Sequence, residues 1–345
     1  MLIEQFLREV TALPGLTGNE QEVARYIADA FAPLADEVRV DSMQSVIARI
    51  KGDGPKVMFA AHLDEIGLMV TNIEKDGALR LGNVGGVDPR ILPGMMVKVL
   101  GKQALTGVIG AKAIHLLSAQ ERKANYKRED LYVDLGLPYE QVIANVQIGD
   151  LVQLEQRFVN LKNNRIATKT ADDRACVAIM YRAMQLLKGM RPTADLYFVA
   201  TCQEEIGGHG ALTASYGIAP DYAIALDVCH AQTPDAPRIS TQELTSPALG
   251  MGPYLHPVLR QKIVDIADKI NVTVQTDLMR GRTSTDADEI GTACGGVPTA
   301  LLELPLKYMH TTVETFDMRA LEECARLLAQ VASEVTASWG DELWT

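Results

Sequence analysis

Four short segments of this 345-residue chain set acidic or histidine groups beside apolar runs. They are AAHLDE at 60–65, ATKTADDRA at 167–175, TCQEEIGGHG at 201–210 and ALDVCH at 225–230. Three stand where an apolar, strand-like run ends; ATKTADDRA sets two aspartates where a helix begins. In open α/β sheets the carboxyl ends of the strands, with the helix starts beside them, form the ligand crevice. His62, Asp64, Asp172, Asp173, Glu204, Glu205, Asp227 and His310 are therefore expected to converge at one edge. So many carboxylates in a low-dielectric crevice repel one another and require cations. Asp172, Glu205 and Asp227, with neutral His62 and His310, balance two divalent ions and one bridging hydroxide. A nitrogen and oxygen donor set without thiolate suits zinc, cobalt or manganese and does not choose among them.

Each group also has a plainer use. Asp172 and Asp173 fit an N-cap pair, Glu204 and Glu205 a solvated loop, and Asp227 a turn. Only their joint placement argues for chemistry. Glycoside hydrolysis by Glu204 and Asp64 is a rival use of two carboxylates, but it leaves the histidines and the double aspartate unexplained. His115, His209, His230 and His256 have weaker cases. Cys202 and Cys229 flank acidic positions and are read as packing residues.

The elements that must position these groups follow from periodicity. Leu2, Ile3, Phe6, Leu7 and Val10 recur at helical spacing. Thr17 to Glu20 reads as a capping box for a helix burying Val23, Ile27 and Phe31. Segments 37–41, 45–50 and 56–61 read as strands. Between 70 and 160 short β-type segments alternate with glycines, as in a small barrel or sandwich, with one helix near 138–146. After 160, strands at 195–201, 222–227, 272–276 and 299–304 alternate with helices at 172–188, 208–215, 255–270, 285–292 and a closing one at 318–339. The fold class is α/β: a mixed sheet with helices on both faces and an inserted β-rich domain. The expected division is 1–69 with 161–345 for the α/β domain and 70–160 for the insertion.

Thirty-three Lys and Arg against 44 Asp and Glu give a net charge of −11. An acidic surface disfavours nucleic acid as a partner. No run of about 18 apolar residues reads as a membrane span. Five cysteines without a CxxC read as reduced thiols, and the amphipathic start lacks a basic n-region, so the expected location is the cytoplasm.

Taken together, HLDEIG at 62–67, TADDRAC at 170–176, QEEIGGHGA at 203–211, Asp227, TSTDADEI at 283–290 and YMHTTVE at 308–314 resemble the motifs of the tetrahedral, co-catalytic-metal aminopeptidases. That family includes glutamyl and deblocking aminopeptidases and some endoglucanase-labelled members. The resemblance covers the whole chain. It implies a phosphorylase/hydrolase-like domain, an inserted dimerisation domain and a hollow twelve-subunit homo-oligomer acting on peptides. His62 and Asp227 would hold one metal, Glu205 and His310 the other, with Asp172 bridging them and a cis peptide following to Asp173. Glu204 would be the general base, and Asp64 would orient the His62 imidazole. GGHGA and HTTVE depart from common family variants without removing a ligand or the base. A related two-metal amidohydrolase or deacylase of small amides would share these residues, and a binding protein that kept the fold remains a third reading. Arg280 and Arg282 offer either a preference for acidic side chains or a surface role.

Overall fold

In the strand Lys56–His62, Val57, Phe59 and Ala61 join one hydrophobic cluster while Met58 and Ala60 join another. Period-two alternation thus gives this strand an apolar side on each face, which is why its sequence is continuously hydrophobic. The computed structural model, which describes residues 1–237 and 241–343, places it near the middle of an eight-stranded mixed sheet. The order is Glu37–Val40, Val46–Ile50, Asp195–Thr201, Lys56–His62, Tyr222–His230, Thr299–Leu306, Ala248–Met251 and Gln275–Leu278. Lys56–His62 runs parallel to both of its neighbours, Asp195–Thr201 and Tyr222–His230. Tyr222–His230 is also parallel to Thr299–Leu306.

Helices Ile3–Ala12, Gln21–Phe31, Ala171–Leu187, Pro257–Lys269 and Met318–Glu334 pack the larger cluster. His209–Ile218 and Asp286–Thr292 cover the other face. Parallel strands need crossovers, and these helices supply them.

A separate cluster that includes Leu68, Val70, Val97, Val99, Val133 and Val152 fills a closed six-stranded barrel. Its strands run from Gly67–Ile73 to Leu151–Leu154. Gly67 already pairs with Val84, and Leu68 with Val152, so the barrel takes in residues before the expected 69/70 division. Gln153 at the barrel's end donates to the Glu65 carboxylate at 2.8 Å, which ties the barrel to the segment after His62.

Three local expectations are corrected. The Thr17–Glu20 capping box does not form. Glu20 sits at the N-cap without a side-chain cap bond, and its carboxylate accepts from Gly18 N at 2.7 Å. The helix begins at Gln21, so Thr17 stands outside the cap position, and its hydroxyl donates to the Asp64 carboxylate at 2.6 Å. The closing helix stops at Glu334, where the β-branched pair Val335 and Thr336 follows, and a separate turn of helix spans Ser338–Leu343. The strand expected at 272–276 lies at Gln275–Leu278. Among the described residues no helix is long and apolar enough to cross a membrane.

Candidate active site

His62 ends its strand, and Asp227 lies three residues before the end of Tyr222–His230. Glu204 and Glu205 open a short 3-10 turn just beyond Asp195–Thr201. Asp172 and Asp173 begin the helix Ala171–Leu187, joined by a cis peptide bond. His310 follows Thr299–Leu306. Several of the turns that aim these groups use left-handed backbone at non-glycine residues: Thr170, Gln203, Ser284, Tyr308 and His310. Such conformations cluster at functional sites, and sequence periodicity gives no sign of them.

The chain brings these side chains together. Asp172 presents one oxygen to each imidazole: Oδ1 is 3.1 Å from His62 Nε2, and Oδ2 is 3.3 Å from His310 Nε2. His310 Nε2 also lies 3.4 Å from Glu205 Oε1. Ligand atoms of His62, Asp172 and Glu205 lie within 4.8 Å of one another, and those of His62, Asp173 and Asp227 form a second such group. Glu204 Oε2 stands 4.0 Å from His62 Nε2. All of these except Asp173 line a cavity of about 660 Å³.

Asp64 sits beneath this layer, fully buried. Its Oδ1 is 3.4 Å from His62 Nδ1, outside hydrogen-bond geometry, so that ring nitrogen lacks a partner. The same carboxylate accepts from the amides of Glu204 at 3.1 Å and Glu205 at 3.3 Å. It therefore fixes the turn carrying both glutamates, a role the sequence did not suggest. Asp173 accepts from His62 N at 3.2 Å, and its Oδ1 has no partner. Glu314, present in the YMHTTVE motif without an assigned role, accepts from Asp172 N and His310 N, each at 3.0 Å. Asp286, from TSTDADEI, accepts from the Thr201 hydroxyl.

The electrostatics of the cluster run one way. Burial pushes Glu204 up to about 10; His62 opposes this, while Asp227, Asp286 and Glu205 add to it. Hydrogen bonds to Asp172 and Glu205 raise His310 to about 11. Burial likewise raises Asp227 well above the carboxylate range. Burial opposes ionisation of Asp172 too, but His310 and His62 hold it low. A nest of acids that draws protons onto its own imidazoles is a nest that draws cations. Its donors are oxygen and imidazole nitrogen, and two triads of them, His62–Asp172–Glu205 and His62–Asp173–Asp227, bring ligand atoms within 4.8 Å of one another. The residues present therefore fit divalent metal.

A mixed α/β sheet with an inserted barrel, gathering acids and imidazoles at the carboxyl ends of its strands, has the build of a metallopeptidase. The chain belongs to the M42 glutamyl aminopeptidase family, whose profile matches residues 44–327. It is 34% identical to the lysyl aminopeptidase of Pyrococcus furiosus, over 96% of this chain and 97% of that one. The TET aminopeptidase of the marine sediment archaeon Thaumarchaeota archaeon SCGC AB-539-E09 superposes with a TM-score of 0.94 at 27% identity, covering 99% of this chain and 98% of that one. Pyrococcus horikoshii TET1 peptidase, described as assembling into a tetrahedron or a large octahedral shell, matches with a TM-score of 0.86 at 29% identity, covering 97% of this chain and all of that one. The chain is thus a peptide hydrolase of the aminopeptidase kind, in a family that works with divalent metal.

Proposed function

We propose that this chain is an aminopeptidase that works with two divalent ions, zinc or cobalt before manganese. His62 and Asp227 would hold one ion, Glu205 and His310 the other, with Asp172 between them. The observation that carries this is the Asp172 carboxylate, which faces one imzidazole with each oxygen, at 3.1 and 3.3 Å. When bound, the metal pair supplies Lewis acidity, which lowers the pKa of water and polarises the scissile carbonyl.

The chain's own groups do the rest. Glu204, ionised once cations offset the burial and neighbouring acids that hold its proton, takes the proton of the attacking water and passes it to the leaving amine. Asp64 keeps Glu204 and Glu205 in register through their amides. The acid cluster attracts the substrate's free α-ammonium group, which restricts cleavage to the N-terminal residue. The five unpaired thiols suit a reducing compartment, the cytoplasm expected from the sequence. The barrel is the dimerisation element of this proposal, within a tetrahedral dodecamer, by analogy with the assembly described for the Pyrococcus horikoshii relative.

The test is Glu204→Gln assayed on aminoacyl and N-acyl substrates, with metal content measured alongside. Retained metal with kcat lowered roughly 10²- to 10⁴-fold on aminoacyl substrates is expected. Unchanged turnover removes the base assignment, and a preference for N-acyl substrates removes the aminopeptidase reading.

A further inference from the structure

One strand over from Asp227, the same cavity holds acids that the proposed chemistry leaves unused. Glu303 lies inside the apolar strand Thr299–Leu306 and pairs in parallel register with Asp227, so the two acids project from the same face. Glu303 is 1% exposed, and its Oε2 has no hydrogen-bond partner. Asp277, on the edge strand Gln275–Leu278, and Cys229 bring their ligand atoms within 4.8 Å of the Glu303 carboxylate and of each other. All three line the cavity that also contains His62 and Asp172.

A buried carboxylate oxygen without a donor is a cost that native structures rarely leave standing. Arg282 lines the same cavity but does not supply the donor. Its Nε is 3.1 Å from Asp288 Oδ2, and its Nη2 is 2.7 Å from Glu289 Oε1. Its guanidinium pairs with two acids close to it in the chain, not with Glu303. Met279, also on the cavity wall and packed on the same side of the sheet as the acids, offers aliphatic surface there.

We propose that Glu303 and Asp277 receive the side chain of the substrate's N-terminal residue and select a basic one, lysine ahead of arginine. The inference rests on the aminopeptidase reading above. Two carboxylates this close can share one compact ammonium, which carries three donors on a flexible four-carbon stem. The planar guanidinium asks for a wider fork. A third divalent cation held by Cys229, Asp277 and Glu303 is the rival occupant.

The experiment uses the full chain loaded with cobalt and compares lysyl, arginyl, norleucyl and glutamyl p-nitroanilides. Norleucine keeps a straight aliphatic side chain and removes the charge. Lysyl should exceed norleucyl in kcat/KM by roughly 10- to 100-fold, the size expected for hydrogen bonds to a charged group. Glu303→Gln should bring that ratio toward one. Asp277→Asn, on a half-buried edge strand, should lower it in the same direction and guards against a folding failure at Glu303. Norleucyl or glutamyl turnover equal to lysyl, or a ratio that neither variant moves, overturns the proposal. A binding readout separates it from the activity reading: L-lysine should raise Tm more than L-norleucine, and Glu303→Gln should erase the difference. Should no aminoacyl substrate be cleaved while this difference persists, the aminopeptidase reading falls and the pocket stands; if the difference is missing, the pocket falls. A third metal equivalent that Glu303→Gln removes also overturns it.

Discussion

The carbonyl oxygen of Gly86 accepts a hydrogen bond from His310 Nδ1 at 2.9 Å. Gly86 lies in the loop after the barrel strand Leu79–Val84, so the barrel sets the orientation of an imidazole that follows the sheet strand Thr299–Leu306. With Nδ1 engaged, Nε2 is turned toward Asp172 and Glu205. This is how a ligand histidine is held. A Cβ at position 86 would meet His310 Nδ1 at 2.9 Å and Cε1 at 3.1 Å. Gly86→Val should therefore displace the ring and weaken metal binding roughly 10- to 100-fold. Calorimetric titration of metal into the variant checks this, and unchanged affinity would mean that the ring orientation is set elsewhere.

Glu314 joins the two sides of the cluster, with one oxygen on the amide of Asp172 and the other on that of His310. Glu314→Gln replaces one acceptor oxygen with an amide donor, so one backbone N–H loses its partner. Metal affinity should fall about tenfold or more while the overall fold persists. Metal content together with circular dichroism separates this from unfolding.

Asp64 accepts from Thr17, Glu204 and Glu205 while fully buried. Asp64→Ala leaves two amides of the glutamate turn unsatisfied, which is destabilising by about 3–5 kcal/mol. It should cut kcat more than Glu314→Gln does, because it also releases Glu204. Parallel measurement of kcat and chemical denaturation tests the ranking.

The strand cores, the barrel texture and the positions of the acid-bearing strand ends were legible in the sequence. Apolar runs such as VMFAAH report two-sided burial directly, and His62, Asp172, Glu205 and His310 do meet. Local side-chain pairing was not legible. Thr17 and Glu20 have the spacing of a capping box, yet the helix starts only at Gln21, and the Thr17 hydroxyl donates to Asp64, 47 positions away in the chain. Glu303 does carry a sequence signal, as a single acid inside the continuous apolar run TALLELPL. The Gly86 contact could not be foreseen, since it depends on how the barrel loop lies against the His310 turn.

Glu20 offers a test of stability against pH. It is 1% exposed, and burial raises its carboxyl from 4.5 to about 7, with the Gly18 amide pulling the other way. The folded state thus holds this proton more tightly than the unfolded one. The contribution is fully present below about pH 4.5 and is lost as pH rises through about 7. Glu20→Gln should remove up to about 3 kcal/mol of that pH dependence. Urea denaturation from pH 5 to 8 measures it, and equal slopes for both proteins would contradict the assignment.

In the proposed centre His62, Asp172, Glu205, Asp227 and His310 would hold a pair of cations with Asp172 shared. The most direct measurement is calorimetric titration of the chelator-stripped chain with cobalt or zinc. Two equivalents per chain are predicted, with Asp172→Ala weakening both and Asp227→Ala and His310→Ala each removing one. A single equivalent in the unaltered chain, or an Asp172→Ala variant that still binds two ions tightly, would contradict it.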